Sequence, residues 1–153
     1  MNSTNHYIVI NGDGLILGRL ASTVAKRLLS GERIAIVNAE RAVISGKRSS
    51  LSQEYKERLR IRTLVKPAKG PFHPRRPDGI LRRTIRGMLP WDRARGKEAF
   101  RRLAVFIGVP QEFKNAQFES IPKARMERLK GRFIRLEEIS REIGWKPPQQ
   151  TGT

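Results

Sequence analysis

A strand, a helix and a second strand follow one another between Tyr7 and Val37, and this order constrains the fold more than any other feature of the chain. Tyr7-Ile8-Val9-Ile10 is an apolar run without polar alternation, ended by the turn-rich Asn11-Gly12-Asp13-Gly14. From Gly18 to Ser30 the period changes. Leu20, Ala21, Val24, Ala25, Leu28 and Leu29 recur at helical spacing and define one apolar face. Gly31 follows as the C′ residue, able to take the left-handed conformation cheaply. Arg33 to Val37 is a second strand, and Ala42-Val43-Ile44 a third extended piece. Such a βαβ unit returns the chain in the same direction and builds a parallel sheet. Leu103 to Ile107, uninterrupted and apolar, predicts a later strand buried on both faces.

Between these core segments the composition shifts sharply. Residues 41–100 carry seventeen Lys and Arg against five acids, whereas residues 1–40 carry four against three. The whole chain has a net charge of +18, so two thirds of the excess lies in one central stretch. Charge of one sign repels itself in the compact state unless a polyanion neutralises it. The stretch opens with Gly46-Lys47-Arg48-Ser49-Ser50 and a predicted helix from about Leu51 to Arg62, with Leu51, Tyr55 and Leu59 on one side. From Lys66 to Pro77 it reads Lys-Pro-Ala-Lys-Gly-Pro-Phe-His-Pro-Arg-Arg-Pro, and its prolines exclude both helix and central strand. Asp78 is a candidate cap for a helix to about Leu89, and Asp92 for another through Phe100. Further on, Pro122 suits the first turn of a helix through Lys130. Phe133 to Leu136 reads as extended, and Leu136 to Ile143 as a final helix stopped by Gly144.

The helix after Asp78 carries the clearest chemistry. Leu81, Ile85, Met88 and Leu89 share one arc, with Ile80 outside it, while Arg82, Arg83 and Arg86 occupy the neighbouring arc. Pro74-Arg75-Arg76-Pro77 lies beside them in sequence, and only Asp78 and Asp92 are at hand between residues 66 and 97 to neutralise them. Arginine grips phosphate with a planar fork and stacks on bases, which a lysine point charge cannot do. Arg19, Lys47, Arg48, Lys69, His73, Arg75, Arg76, Arg82, Arg83, Arg86, Arg93, Arg95 and Lys97 are the candidate RNA-binding residues. Phe72 and His73 are suited to stacking on unpaired bases. A solvated basic face, or a proline-rich ligand for another protein, is the plainer alternative.

Other chemistries find little support. Gly12-Asp13-Gly14 with Gly18-Arg19 misses the G-x-G-x-x-G spacing by one residue and lacks the Lys-Ser/Thr pair of a P-loop. The helix start near Gly18 is still a candidate phosphate perch, with a plain strand-to-helix turn as the equal alternative. Cysteine is absent and histidine occurs only at His6 and His73, so no catalytic or metal site is expected. No signal peptide or membrane-length apolar run is visible, which points to a cytoplasmic protein.

Several stretches carry a family resemblance: Val9-Ile10-Asn11, Leu17-Gly18-Arg19-Leu20-Ala21-Ser22, Val37-Asn38-Ala39-Glu40 and Ser45-Gly46-Lys47. Gly70-Pro71-Phe72-His73-Pro74-Arg75-Arg76-Pro77-Asp78, Arg86-Gly87-Met88-Leu89-Pro90 and Val105-Phe106-Ile107-Gly108-Val109-Pro110 continue it in order. The chain resembles the L13 (uL13) family of large-subunit ribosomal proteins, in its archaeal form. The resemblance implies a three-layer α/β/α domain on a small, mostly parallel sheet, with a basic Pro/Arg-rich loop and a C-terminal helical extension. It implies residues 7–110 as the core, 46–97 as its basic rRNA-binding insertion and 111–146 as the extension. Residues 1–6 and 147–153 are expected to be tails. The expected partners are large-subunit rRNA and neighbouring large-subunit ribosomal proteins. A structural role in early subunit assembly and translation follows, with no enzymatic activity, cofactor, metal, membrane or small-molecule substrate.

Overall fold

The computed structural model describes residues 7–148. It begins with β1 (Ile8–Asn11), α1 (Leu17–Leu29) and β2 (Ile34–Val37), the expected crossover unit. Then come β3 (Val43–Ser45), α2 (Arg48–Arg60), α3 (Pro77–Gly87), α4 (Ala94–Arg101) and β4 (Leu103–Val105). β5 (Phe118–Glu119), β6 (Phe133–Arg135) and α5 (Leu136–Glu142) complete the chain. The expected tails at 1–6 and 147–153 lie outside the described residues, apart from Pro147 and Pro148, which are exposed.

Four strands form one parallel sheet in the order β4-β2-β1-β5, and β3 pairs antiparallel with β6. Because successive strand residues point to opposite faces, Ile10, Ile34, Ile36 and Leu103 turn one way. They meet Leu20, Val24 and Leu28 of α1 and Leu81 and Ile85 of α3 in one cluster. Val9, Ala35 and Val37 turn the other way, against Phe113 and Phe106. The first face is covered by helices and the second by a 3₁₀ turn at Gln111–Phe113. Each fully buried aliphatic side chain here contributes about 1.5–3 kcal/mol.

β2 is one of the two inner strands, and all four of its residues are buried. β4 differs from expectation. It stops at Val105, and Ala104 and Val105 are only partly buried, because the strand lies at the sheet edge. An apolar run is equally compatible with an edge strand whose outer side is covered by a loop.

The segment 111–146 is joined to the core at several places. β5 extends the sheet beside β1, and Arg27 ties it to α1 through two bonds to Glu119 at 2.7 and 3.1 Å, while also meeting Glu32 at 2.6 Å. β6 pairs with β3, and the Leu136 amide donates to the Ala42 carbonyl at 2.8 Å. Leu136 and Ile139 of α5 are fully buried. The helix expected from Pro122 to Lys130 is instead a pair of 3₁₀ turns, Pro122–Ala124 and Met126–Arg128. The reason lies in the backbone: the Ala124 carbonyl accepts from the Ile16 amide at 2.7 Å, and the Met126 amide donates to the Gly14 carbonyl at 2.9 Å. Those groups are engaged by the β1–α1 turn and cannot serve an α-helical ladder.

The same contacts cover the glycine-rich turn. In a parallel α/β sheet the crevice beyond the strand ends is the usual ligand site. Here the Met126 side chain lies over Gly14, and Asp13 is paired with Arg41 at 3.5 Å and Arg135 at 3.3 Å. Asn38, with φ of 55°, donates from its side-chain amide to Asn11 at 3.0 Å, and Glu40 accepts from the Gly108 amide at 3.0 Å. The loops at this end are tied to each other.

Candidate nucleic-acid interface

α3 begins at Pro77, whose fixed φ suits the first helical position and whose missing N–H costs nothing there. This moves the helix start ahead of the expected cap. Asp78 sits inside the first turn, accepting from the Gly79 amide at 2.9 Å and pairing with Arg76 at 3.2 Å. Asp92 likewise does not cap α4, where Arg93 is the cap residue and makes no side-chain bond. The buried stripe of α3 also differs from expectation at two positions. Ile80 is buried at 6 % exposure and Met88 is exposed at 43 %, because the helix ends at Gly87 and Met88 leaves its arc.

With Ile80, Leu81, Ile85 and Leu89 turned to the core, Arg82, Arg83 and Arg86 are directed outward. Two of them lie on aromatic rings. The Arg86 guanidinium stands 4.1 Å from the Trp91 ring centre and that of Arg82 stands 4.7 Å from Phe100. Trp91 and Phe100 meet edge to face at 5.2 Å and form one shelf beneath both arginines. Stacking restricts the rotamers of long side chains while leaving their N–H donors free, so the forks are held ready for an anion. This shelf was not legible in the sequence. Trp91 follows the turn after Pro90 and Phe100 lies near the end of α4, so no helical spacing links either to its arginine.

Gly96 brings the two helices together. A Cβ placed there would lie 2.0 Å from the Pro90 carbonyl oxygen, so only glycine lets α4 approach the α3–α4 turn this closely. Gly79 does the same for the proline-rich loop, where a Cβ would lie 2.8 Å from that of Pro74. Within this loop Pro67–Lys69 forms a 3₁₀ turn and the rest has neither helix nor strand. Lys69, His73, Arg75 and Arg76 are exposed along it, as is Phe72 at 65 %, and Leu64 just ahead of it is exposed at 92 %. Arg75 packs over Gly144 at the end of α5.

The remaining candidates are distributed around this group. Arg93, Arg95 and Lys97 are exposed at the start of α4, and Arg19 on the first turn of α1. Lys47 is the cap residue of α2. Arg48 is engaged within the molecule: it pairs with Glu142 at 2.6 Å and Glu138 at 3.8 Å. Arg93 comes within 3.9 Å of Asp92. Arg75, Arg82, Arg83, Arg86, Arg95 and Lys97 have no carboxylate partner among the described residues.

α2 has no fully buried residue, and the Arg48 pair is part of what fastens it to α5. The Ser52 hydroxyl, and then Arg48, hold the Glu142 carboxyl below the ordinary carboxylate range. A carboxyl with a depressed pKa contributes docking strength that is present above its unfolded pKa and lost as pH falls through the folded one. Acidification below about pH 4.3, the ordinary glutamate value, is therefore expected to loosen α2 before α1. Amide hydrogen exchange checks this, and Glu142→Gln is expected to loosen α2 already at neutral pH. Equal protection of α2 in both proteins across that range would remove the pair from any docking role.

A family model described as ribosomal protein L13 matches residues 5–112. Large ribosomal subunit protein uL13 of Methanosarcina barkeri is 54% identical over 140 residues, covering 90% of this chain and 98% of that protein. The uL13 of Methanococcoides burtonii is 52% identical over 139 residues, with 90% and 98% covered. That of Archaeoglobus fulgidus is 46% identical over 142 residues, covering 92% of this chain and 89% of its own.

Proposed function

This chain belongs to the ribosomal protein L13 family, and we propose that it is a structural constituent of the large ribosomal subunit that binds large-subunit rRNA. As a member of a ribosomal structural family it is not an enzyme, and its place is the ribosome in the cytoplasm. Residues 7–110 act as the core, residues 46–97 as the rRNA-binding part, and residues 111–146 as an extension that also braces the sheet.

One observation supports this most: arginines without a carboxylate partner among the described residues are set on an aromatic shelf beside an exposed basic loop, all mounted on a buried core. Building such a face leaves like charges close together, which is unfavourable until phosphates neutralise them. Arg82, Arg83, Arg86, Arg93, Arg95 and Lys97 take phosphates, with Arg75, Arg76, Lys69 and His73 on the loop and Lys47, Arg48 and Arg19 at its margins. Neighbouring large-subunit proteins and early assembly belong to the same reading. Recognition rests on RNA shape and single-stranded elements, because the deep groove of A-form RNA does not admit side chains.

If about six phosphates are neutralised, the log–log slope of rRNA affinity against salt is expected to lie between about −4 and −5. Filter binding across a salt series measures it, and a flat response would overturn the reading. Equal affinity for duplex DNA and rRNA would point instead to a general polyanion binder. Within cells, the chain is expected to co-sediment with large subunits after a high-salt wash.

A further inference from the structure

We infer that the slot between α2, the proline-rich loop, α3 and α5 receives the base of a single nucleotide turned out of the rRNA stack. The inference rests on the rRNA-binding reading above and adds a second site, which shares Pro74 and Arg83 with the cavity at the aromatic shelf. The slot encloses about 190 Å³, less than the roughly 300 Å³ at which sites for drug-sized ligands begin. It suits one flat ring system rather than a whole cofactor.

Leu59, Pro74, Ile80 and Ile143 supply apolar walls, while Arg58, His73 and Arg83 stand among them. No carboxylate lines the slot; Glu54, which pairs with Arg58, is outside the lining. An apolar slot with a basic rim complements a nucleotide, whose base favours stacking and whose phosphate favours a guanidinium fork. An apolar side chain from a neighbouring protein would fill the walls and leave Arg83 without a partner.

Tyr55 and Thr84 complete the lining of the slot. A phenol is protonated at neutral pH in any case, and burial raises that of Tyr55 further. The Arg58 guanidinium lies 5.0 Å from the centre of the same ring. Thr84 already donates its own proton to the Ile80 carbonyl at 2.9 Å, which leaves its oxygen lone pairs as acceptors. The close contact of Pro74 with Gly79 sets one wall in place before any ligand arrives.

The test uses the full chain and deproteinised large-subunit rRNA of the organism that encodes it. Ultraviolet crosslinking of the wild-type complex is expected to join Tyr55 or His73 to one nucleotide, read by mass spectrometry. Tyr55→Ala is expected to weaken binding about tenfold, the loss of one stacked base, with an unchanged salt slope. One base should also regain reactivity to chemical modification, while Tyr55→Phe, which keeps the ring, retains most of the affinity. Circular dichroism checks the fold; should Tyr55→Ala fail to fold, the wild-type crosslink decides alone. Absence of any adduct at the slot, or a crosslink in intact subunits to another protein there, overturns the inference. So does unchanged affinity and footprint in a folded Tyr55→Ala. Each of these can occur while wild-type binding remains steeply salt-dependent; loss of that dependence would instead sink the underlying rRNA reading.

Discussion

Replacing Arg82, Arg83 and Arg86 together by alanine is expected to lower affinity for large-subunit rRNA by about two to three orders of magnitude. A guanidinium fork on phosphate or base contributes roughly 1–3 kcal/mol, and neighbouring interactions do not add fully. The salt slope should fall by about two to three, since each phosphate deprived of its guanidinium takes back slightly less than one counterion. The fold should survive. All three side chains point away from the core, and the cation–π stacking of Arg82 and Arg86 contributes only about 0.5–1 kcal/mol per arginine at exposed sites. Lysine at the same three positions separates charge from geometry. It should restore most of the slope but not the affinity, because lysine lacks the planar fork. Affinity and slope both unchanged in the alanine variant, with its fold intact, would remove α3 from the interface.

Gly96→Ala is expected to be the most disruptive single-methyl change in the basic region. The added carbon would meet the Pro90 carbonyl at 2.0 and 2.5 Å, backbone atoms that cannot rotate away like the end of a side chain. Either α4 shifts or the α3–α4 turn opens. Overpacking of this kind costs typically 1–3 kcal/mol and occasionally more, and the backbone contact argues for the upper end. For a chain of this size that corresponds to a melting-point drop of roughly 6–12 °C. Gly18→Ala provides the comparison. No atom lies within 4 Å of the position, and alanine is the better helix former by up to about 1 kcal/mol. Because Trp91 and Phe100 flank the Gly96 contact, the variant should also change the near-ultraviolet circular dichroism and weaken rRNA binding. A Gly96→Ala protein as stable as its parent would show that the two helices are not locked together there.

Much of the molecule is legible along the chain. Period and punctuation suffice for β1, α1, β2 and their parallel pairing, since burial of one face imposes a recurrence that survives in the residue order. The basic stretch is equally visible, because charge density and the lack of nearby acids are properties of composition. Helix starts are less so: Asp78 and Asp92 are good caps by type, yet Arg76 takes the cap of α3, two positions earlier, and Arg93 that of α4. Met88 leaves the buried arc because α3 ends at Gly87, two residues before the expected end, and Ile80 joins it because the helix starts ahead of Asp78.

Sequence alone determined that this chain makes a parallel α/β core and concentrates its positive charge in one region, since both follow from local pattern and residue type. Only the tertiary structure decided which cations are spent internally and which are free. Arg48 is paired across 94 residues of chain with Glu142, while Arg86 lies on Trp91. It also decided that the segment after Pro122 takes 3₁₀ turns, because its backbone groups bond to the β1–α1 turn. Contacts between distant segments depend on how elements pack in space, and no periodicity along the chain records that.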